Sequence, residues 1–379
     1  MTPPRLLIVA NELESFFNHR LPIARAAQAA GYDVHVALEE ATAARERDTD
    51  GFAFHALPLA RGFAAPWREA AALWRIDRLV ARLGPGIVHA FTLKPVLHAG
   101  LVTRARGIAF VASVTGVGSF FLGTSRRDRV IQGALMPALG FALGGARRIA
   151  IVQNPDDEAL VTQALRVPPT SVELIRGSGV DLDVFAPAPS PPPAPPVRIV
   201  LAARMLADKG VREFVEAARL LRHTAPDAQF ILAGGLDPAN RSAIARTELD
   251  AWAREPNIEW TGHVSDMAAL YRSAHIACLP SYREGLPKAL LEAAACGLPV
   301  VTTDAPGCRE IVVDGRTGRL VPVRNAAALA RALAALIADP ALRTEMGAAG
   351  RDFVADGLSV EAVVGRIVSV YRRLERAGR

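Results

Sequence analysis

Ile199-Val200-Leu201-Ala202-Ala203-Arg204-Met205-Leu206-Ala207-Asp208-Lys209-Gly210-Val211 passes from an apolar run, through a short charged loop, into a helix-patterned stretch. Val211, Phe214, Val215 and Ala218 keep the spacing of one inward helical face. A strand feeding a helix through a short loop is the building unit of a parallel sheet. The unit recurs on both sides. Downstream, 230–233, 258–261, 276–279 and 300–303 read as strands with helices between them. Upstream, 6–10, 34–38, 52–56, 87–91, 110–114 and 149–153 do the same, and 21–30, 67–83 and 96–104 read as helices. The chain therefore predicts an α/β fold with two doubly wound domains.

Between the two runs lies Pro187 to Pro196, a Pro/Ala/Ser stretch that reads as a semi-rigid linker. It separates an expected N-terminal domain, 1–185, from a C-terminal one, 197–358. The stretch 359–379 contains an amphipathic helix with Val363, Ile367, Val370 and Leu374 on one stripe, expected to pack back on the first domain. Open parallel sheets bind ligands at the carboxyl ends of their strands, which here would face one cleft.

Length and composition agree with this reading. The 379 residues suit two domains, and 51% apolar with 22% charged is a globular balance. Cys278, Cys296 and Cys308 are odd in number and lack C-x-x-C spacing, which argues against a disulfide framework or a zinc site and suits a reducing cytoplasm. The N-terminus runs straight into a strand, so no export signal is read. The longest apolar run, Val130 to Ala146, is interrupted by Gln132, Pro137 and glycines, short of the roughly 20 residues that span a bilayer. Beside it stand Arg126, Arg127, Arg129, Arg147 and Arg148. They are either ordinary solvated helix ends or a contact with the anionic face of the inner membrane.

Lysine usage is informative. The net charge is +6, and of the 44 basic residues only Lys94, Lys209 and Lys288 are lysine. Where arginine is so favoured, lysine persists at positions that need a compact ammonium. All three fall in loops or helix starts that are site candidates on other grounds.

The strongest of these is the quoted stretch. Arg204 and Lys209 lie at a strand's carboxyl end beside a helix N-terminus, with Asp208 as candidate N-cap. That is an anion site suited to a diphosphate. Downstream, Glu284-Gly285-Leu286-Pro287-Lys288 precedes Glu292. Eight residues of helix span roughly 12 Å. Two carboxylates that far apart do not share one bond but suit two rings of an extended nucleotide-sugar. Gly285 permits close backbone approach, Pro287 suits a first helical turn, and Lys288 adds a cation.

These residues resemble the E-x7-E signature of retaining glycosyltransferase family 4, which has the GT-B fold of two Rossmann-like domains. The likeness extends to Gly262-His263-Val264, to Gly177–Asp181 with Phe185, to Thr302–Glu310 and to Asp314–Gly318. It implies that Arg204 and Lys209 neutralise the donor diphosphate and that Glu284 faces the transferred sugar. It also implies that Glu292 holds the ribose and that the Gly262–Val264 turn lies near the base. The wording Glu-Gly-Leu-Pro-Lys and Pro-Gly-Cys-Arg-Glu is similar to transferases acting on undecaprenyl-diphosphate-linked sugars. The expected partners are then a nucleotide-diphosphate sugar, with UDP the leading nucleotide, and a lipid-linked sugar acceptor; no cofactor, metal or nucleic acid is expected.

The first half is expected to present the acceptor through loops carrying His19, Arg20, Lys94, Thr115 and Gly116. Some relatives carry a histidine where this chain has Thr115-Gly116. The D-x-D matches at Asp181–Asp183 and Asp48–Asp50 are short enough to arise by chance, and Gly116-Val-Gly118 lacks the third glycine of a dinucleotide fingerprint. Two rivals stay open at this level: a sugar-nucleotide epimerase on the same fold, and a two-lobed sugar-binding protein without chemistry.

Overall fold

A computed structural model describes residues 3–48, 50–59, 66–114, 126–190 and 192–378. The chain divides into two compact units: Met1–Ser178 with Glu361–Arg379, and Gly179–Val360. The division falls at Ser178, ahead of the expected 185. Residues from Gly179 onward, including the proline-rich stretch, therefore belong with the second unit.

The first unit holds seven strands: β1 (Arg5–Val9), β2 (Asp33–Leu38), β3 (Ala53–Ala56), β4 (Ile87–Phe91), β5 (Ala109–Ser113), β6 (Arg148–Val152) and β7 (Val172–Leu174). They form one sheet in the order β3-β2-β1-β4-β5-β6-β7, and every pairing is parallel. β4, β5 and β6 are buried at every residue, as strands covered on both faces must be. Its helices are α1 (Leu13–His19), α2 (Leu21–Ala29), α3 (Ala41–Arg47), α4 (Pro66–Leu83), α5 (Leu93–Ala105), α6 (Arg126–Leu143) and α7 (Pro155–Ala159). Side chains of α4, α5 and α6 share one core with the sheet, including Ile76, Val96 and Leu139.

The second unit has six strands: β8 (Val197–Ala202), β9 (Ala228–Ala233), β10 (Ile258–Gly262), β11 (Ile276–Leu279), β12 (Val300–Thr303) and β13 (Gly318–Val321). Their order is β10-β9-β8-β11-β12-β13, again all parallel. The helices are α8 (Val211–Leu221), α9 (Arg246–Trp252), α10 (Met267–Arg272), α11 (Lys288–Ala295), α12 (Ala326–Ala338) and α13 (Pro340–Ala355). In α8 the buried set is Val211, Phe214, Val215, Ala217, Ala218 and Leu221, which contains the four residues expected from the sequence spacing and adds Ala217 and Leu221.

Helix α14 (Val360–Arg376) closes the first unit. It buries Val363, Val364, Ile367, Val368, Val370, Tyr371 and Leu374. A 17-residue helix is marginal alone, so this packed face is what holds it. At about 1.5–3 kcal/mol per large apolar side chain, the gross gain exceeds any propensity term. Polar ties fix its register on β7: Arg366 Nη2 donates to the Leu174 carbonyl (2.6 Å), and Arg373 pairs with Glu173 (2.5 Å).

Each sheet reverses its winding once, between β1 and β4 in the first unit and between β8 and β11 in the second. Such switch points open a crevice at the strands' carboxyl ends. The residues after β1, β4, β8 and β11 are therefore the ones topology selects for a site.

Candidate functional site

In the second unit the crevice is built by glycines that let loops pass backbone to backbone. Gly210 has φ +72°, and a Cβ there would lie 2.1 Å from the Pro280 carbonyl oxygen. That contact brings the loop after β8 against the loop after β11. Gly307, at φ +78°, lies under the second loop: an added Cβ would sit 2.3 Å from the Glu284 carbonyl oxygen. The Glu284 amide donates to the Pro306 carbonyl (3.0 Å), so the Pro-Gly turn holds Glu284 from both sides.

Lys209 closes the arrangement. Its Nζ lies 2.5 Å from Glu284 Oε1, with both side chains mostly sheltered. Lys209 ends a 3-10 turn (Ala207–Lys209), and Gly210 is the N-cap of α8. Asp208 is thus not the cap expected from the sequence. Its carboxylate instead accepts from Ser242 Oγ (2.8 Å), and its carbonyl accepts from the Tyr282 amide (2.9 Å) and Ser281 Oγ (3.0 Å). It staples the two loops together, a role that local spacing cannot reveal.

Arg204 leaves the end of β8 with a half-exposed side chain whose Nη1 lies 2.5 Å from Asp237 Oδ2. Asp237 was not singled out by the sequence reading. The available signal was the glycine pair Gly234-Gly235 at the end of β9. A Cβ on Gly234 would clash with the Ala203 carbonyl at 1.7 Å, and the Met205 amide donates to Gly235 (3.1 Å). The Gly234 amide in turn donates to the Gly262 carbonyl (2.7 Å). Gly262, His263 and Val264 are thereby tied to the Arg204 loop, with His263 exposed and Gly262 at φ +69°.

The second carboxylate sits inside the helix. Pro287 is the N-cap of α11, and Leu286 is buried behind it. Lys288 Nζ reaches Glu292 Oε1 at 3.4 Å, an i,i+4 pair. Glu292 is 9% exposed, and burial raises its pKa while Lys288 opposes the rise. The two glutamates of the E-x7-E stretch therefore each carry a lysine. Beneath them Thr302 Oγ1 donates to the Leu279 carbonyl (2.7 Å), and Thr303 Oγ1 donates to the Ser281 carbonyl.

In the first unit Asn11 Nδ2 donates to Thr92 Oγ1 (3.1 Å), joining the ends of β1 and β4. Thr92 has φ +69°, a strained value for a β-branched residue. The stretch after β1 is not an open loop but contains α1, which places His19 Nδ1 at 3.4 Å from Ser178 Oγ. Arg20 is 7% exposed, and its guanidinium carbon lies 4.3 Å from the centroid of the Phe91 ring. Burial lowers its pKa to about 10.

Lys94 belongs to the first turn of α5, and its side chain turns into the helix layer: Nζ lies 3.0 Å from Glu69 Oε1 of α4, at 6% side-chain exposure. His98 completes this cluster, its Nε2 3.1 Å from Glu69 Oε2 and its Nδ1 donating to the Lys94 carbonyl (2.9 Å). Thr115 and Gly116 lie outside the described residues, as do the side chains of Arg126, Arg127 and Arg129. Arg148 departs from the expected basic surface. It is 4% exposed and donates to the carbonyls of Gly100 (3.1 Å) and Ala142 (2.7 Å), so it fastens α5 to α6 rather than facing a membrane. Arg147 is half-buried at φ +56°.

Both D-x-D stretches serve turns. Asp181 Oδ1 accepts from the amides of Asp183 and Val184 (3.0 Å each). Asp48 accepts from those of Asp50 and Phe52 (3.1 and 2.7 Å). The three cysteines are free and buried.

Against known proteins, the family described as "Glycosyl transferases group 1" matches residues 196–339, and "Glycosyl transferase 4-like" matches 5–154. With two parallel doubly wound sheets and the glutamate–lysine crevice, the chain belongs to the GT-B glycosyltransferases of the family 4 type. The N,N'-diacetylbacillosaminyl-diphospho-undecaprenol alpha-1,3-N-acetylgalactosaminyltransferase of Campylobacter jejuni is 28% identical over 62% of this chain and 63% of its own length. A D-inositol 3-phosphate glycosyltransferase of Arthrobacter is 38% identical over 45% of this chain and 43% of its own. The chain thus spans only about half the length of the curated relatives it matches. Anabaena Alr3699/HepE, solved in complex with UDP and glucose, shares the fold at a TM-score of 0.78, with 15% identity over 98% of this chain and 100% of that one.

Proposed function

We propose that this chain transfers a hexose or N-acetylhexosamine from a nucleotide-diphosphate sugar, with UDP as the nucleotide, onto a lipid-diphosphate-linked sugar. Such a reaction builds surface polysaccharide or glycoconjugate at the cytoplasmic face of the inner membrane. The observation that carries this is the Lys209–Glu284 pair at the β8/β11 switch point, beside the N-terminus of α8. The similarity to a transferase named for an undecaprenol-diphosphate substrate supports the acceptor, and the fold shared with a UDP-bound protein supports the donor.

In this reading the donor diphosphate competes with Glu284 and Asp237 for the cations of Lys209 and Arg204. The α8 amide end adds further positive potential. Glu284, released, accepts hydrogen bonds from hydroxyls of the transferred sugar, and Glu292 accepts from the ribose. The bond from the anomeric carbon to the phosphate oxygen breaks while the bond to the acceptor oxygen forms on the same face. The acceptor's proton passes to the departing phosphate oxygen, and configuration is retained. Fixed cations and amides stabilise the charge that grows on the leaving group, and such preorganised electrostatics is the largest catalytic term in comparable sites. In the first unit His19 and Arg20, with Thr115 and Gly116, form the acceptor side.

The test is transfer from radiolabelled UDP-sugars onto lipid-diphosphate sugars, with the anomeric configuration of the product read by NMR. Retained product that disappears in the Lys209→Ala and Arg204→Ala chains supports the proposal. Donor epimerised without any acceptor, or transfer that survives both substitutions, overturns it.

A further inference from the structure

Helix α4 carries two of the three most exposed large apolar side chains of the described residues, Trp67 at 73% and Trp74 at 57%. They are seven residues apart, two turns, and so lie in line roughly 10 Å from each other along one face. At about 100° per residue that face is the pole opposite Ile76, which is fully buried in the core. Arg78 occupies the same pole, its guanidinium carbon 5.0 Å from the Trp74 ring centroid. Arg68, Arg75 and Arg82, all exposed, line one flank, and exposed Ala70 and Ala81 the other.

The helix's two acids do not neutralise this surface. Glu69 turns inward to Lys94, and Asp77 is held by Arg106 through two bonds of 2.5 and 2.7 Å. Among the described residues Arg68, Arg75 and Arg78 form no ion pair.

We propose that this face of α4 lies in the plane of an anionic lipid bilayer, with Trp67 and Trp74 inserted at the headgroup level and the arginines on lipid phosphates. An indole suits that depth because its body is apolar and its N–H stays with water and headgroups. Arginines beside it add attraction to anionic lipid. A protein partner fits less well. Stable interfaces need about 800 Å² per side around a contiguous apolar centre. Here only alanines separate the indoles, leaving two isolated pegs. A bilayer has no fixed relief for pegs to match. Among the described residues no helix is long and apolar enough to cross a membrane, so the contact is a peripheral one. No residue of the donor or acceptor site takes part in this contact, so its test is separate from that of the sugar chemistry.

The experiment is co-sedimentation of the full chain with phosphatidylcholine vesicles, with and without phosphatidylglycerol, together with tryptophan emission. The expected result is binding to the anionic vesicles, weakened by salt, with a blue shift of emission. Trp67→Ala/Trp74→Ala should remove both signals. Arg68→Gln, Arg75→Gln and Arg78→Gln should each weaken binding roughly five-fold. Because these side chains are exposed, thermal melting of every variant should match the parent chain. Binding that ignores phosphatidylglycerol, or that survives the double tryptophan change, overturns the proposal. So does a chain that ignores vesicles but self-associates through Trp67 and Trp74, which would make the face a protein interface.

Discussion

Lys209 and Glu284 meet at 2.5 Å although 75 positions separate them in the chain. The other two lysines are also partnered with glutamates: Lys288 with Glu292 and Lys94 with Glu69. In a protein that uses arginine almost everywhere else, each lysine places a compact ammonium against a sheltered carboxylate. A planar guanidinium fork is wider and presents five N–H donors that need more acceptor partners.

Lys209→Ala should lower kcat by about 10²–10³-fold, the size of effect seen when one preorganised electrostatic contact is removed. Lys209→Arg should fail to restore it. Steady-state kinetics with the nucleotide-sugar, alongside circular dichroism to show an intact fold, checks both. A kcat within a few-fold of the parent chain for Lys209→Ala would remove the lysine from the chemistry.

Gly307→Ala should displace the Glu284 loop, because its Cβ would lie 2.3 Å from the Glu284 carbonyl in a backbone region that alanine disfavours. The expected cost is at least about 1 kcal/mol of stability, with a larger loss of turnover. Comparing the melting point with kcat separates the two effects. Wild-type turnover would mean that the turn does not position Glu284.

Glu292→Gln should weaken UDP binding by about ten-fold or more, the worth of a hydrogen bond to a charged acceptor. The change should appear in KM more than in kcat. Burial raises the Glu292 pKa, so the carboxylate takes up its proton at a higher pH than an ordinary glutamate. UDP affinity in the parent chain should therefore fall as pH drops through that raised value, and stay flat in the variant. Isothermal titration calorimetry across the acid range measures this directly.

Tyr371→Phe should destabilise the first unit by about 1–3 kcal/mol, the penalty for a buried polar group left unpaired. The Tyr371 hydroxyl lies 2.6 Å from His89 Nδ1, and His89 Nε2 lies 2.8 Å from Ser113 Oγ. Burial holds His89 well below its usual pKa and Tyr371 well above, so both are neutral. The tyrosine then donates to Nδ1, and Nε2–H donates to the serine. A melting point unchanged by the substitution would show that this bond does not anchor α14.

Acid should unfold the first unit early. Burial lowers the pKa of His89 and His98, and that of His55 to about 4. Below the free histidine value near 6.5, the unfolded chain binds protons that the folded chain refuses, so stability falls as pH falls. For His55 the window runs from about 6.5 to about 4. Urea midpoints measured across this range should decline. Midpoints that hold or rise would contradict the neutral assignment.

Much of the fold was legible because hydrophobic periodicity is a local signal. The apolar runs at 87–91, 276–279 and 300–303 are strands with those same bounds, and Val211, Phe214, Val215 and Ala218 lie on the buried face of α8. The weak edge strands escaped. β7 and β13 are short and partly exposed, so neither carries a continuous apolar run. The candidate site was legible as residue types at strand ends, since an arginine, a lysine and two glutamates are conspicuous there. Their partners were not.

The amino-acid order alone determined that strands and helices alternate, where the loops fall, and which charged groups those loops carry. Only the tertiary structure decided that Asp208 staples two loops instead of capping a helix, that Arg148 is a buried fastener, and that Asp237 answers Arg204. The reason is the strand order. A sheet wound β9-β8-β11-β12 brings together loops far apart in the chain, and no spacing rule reaches across that distance.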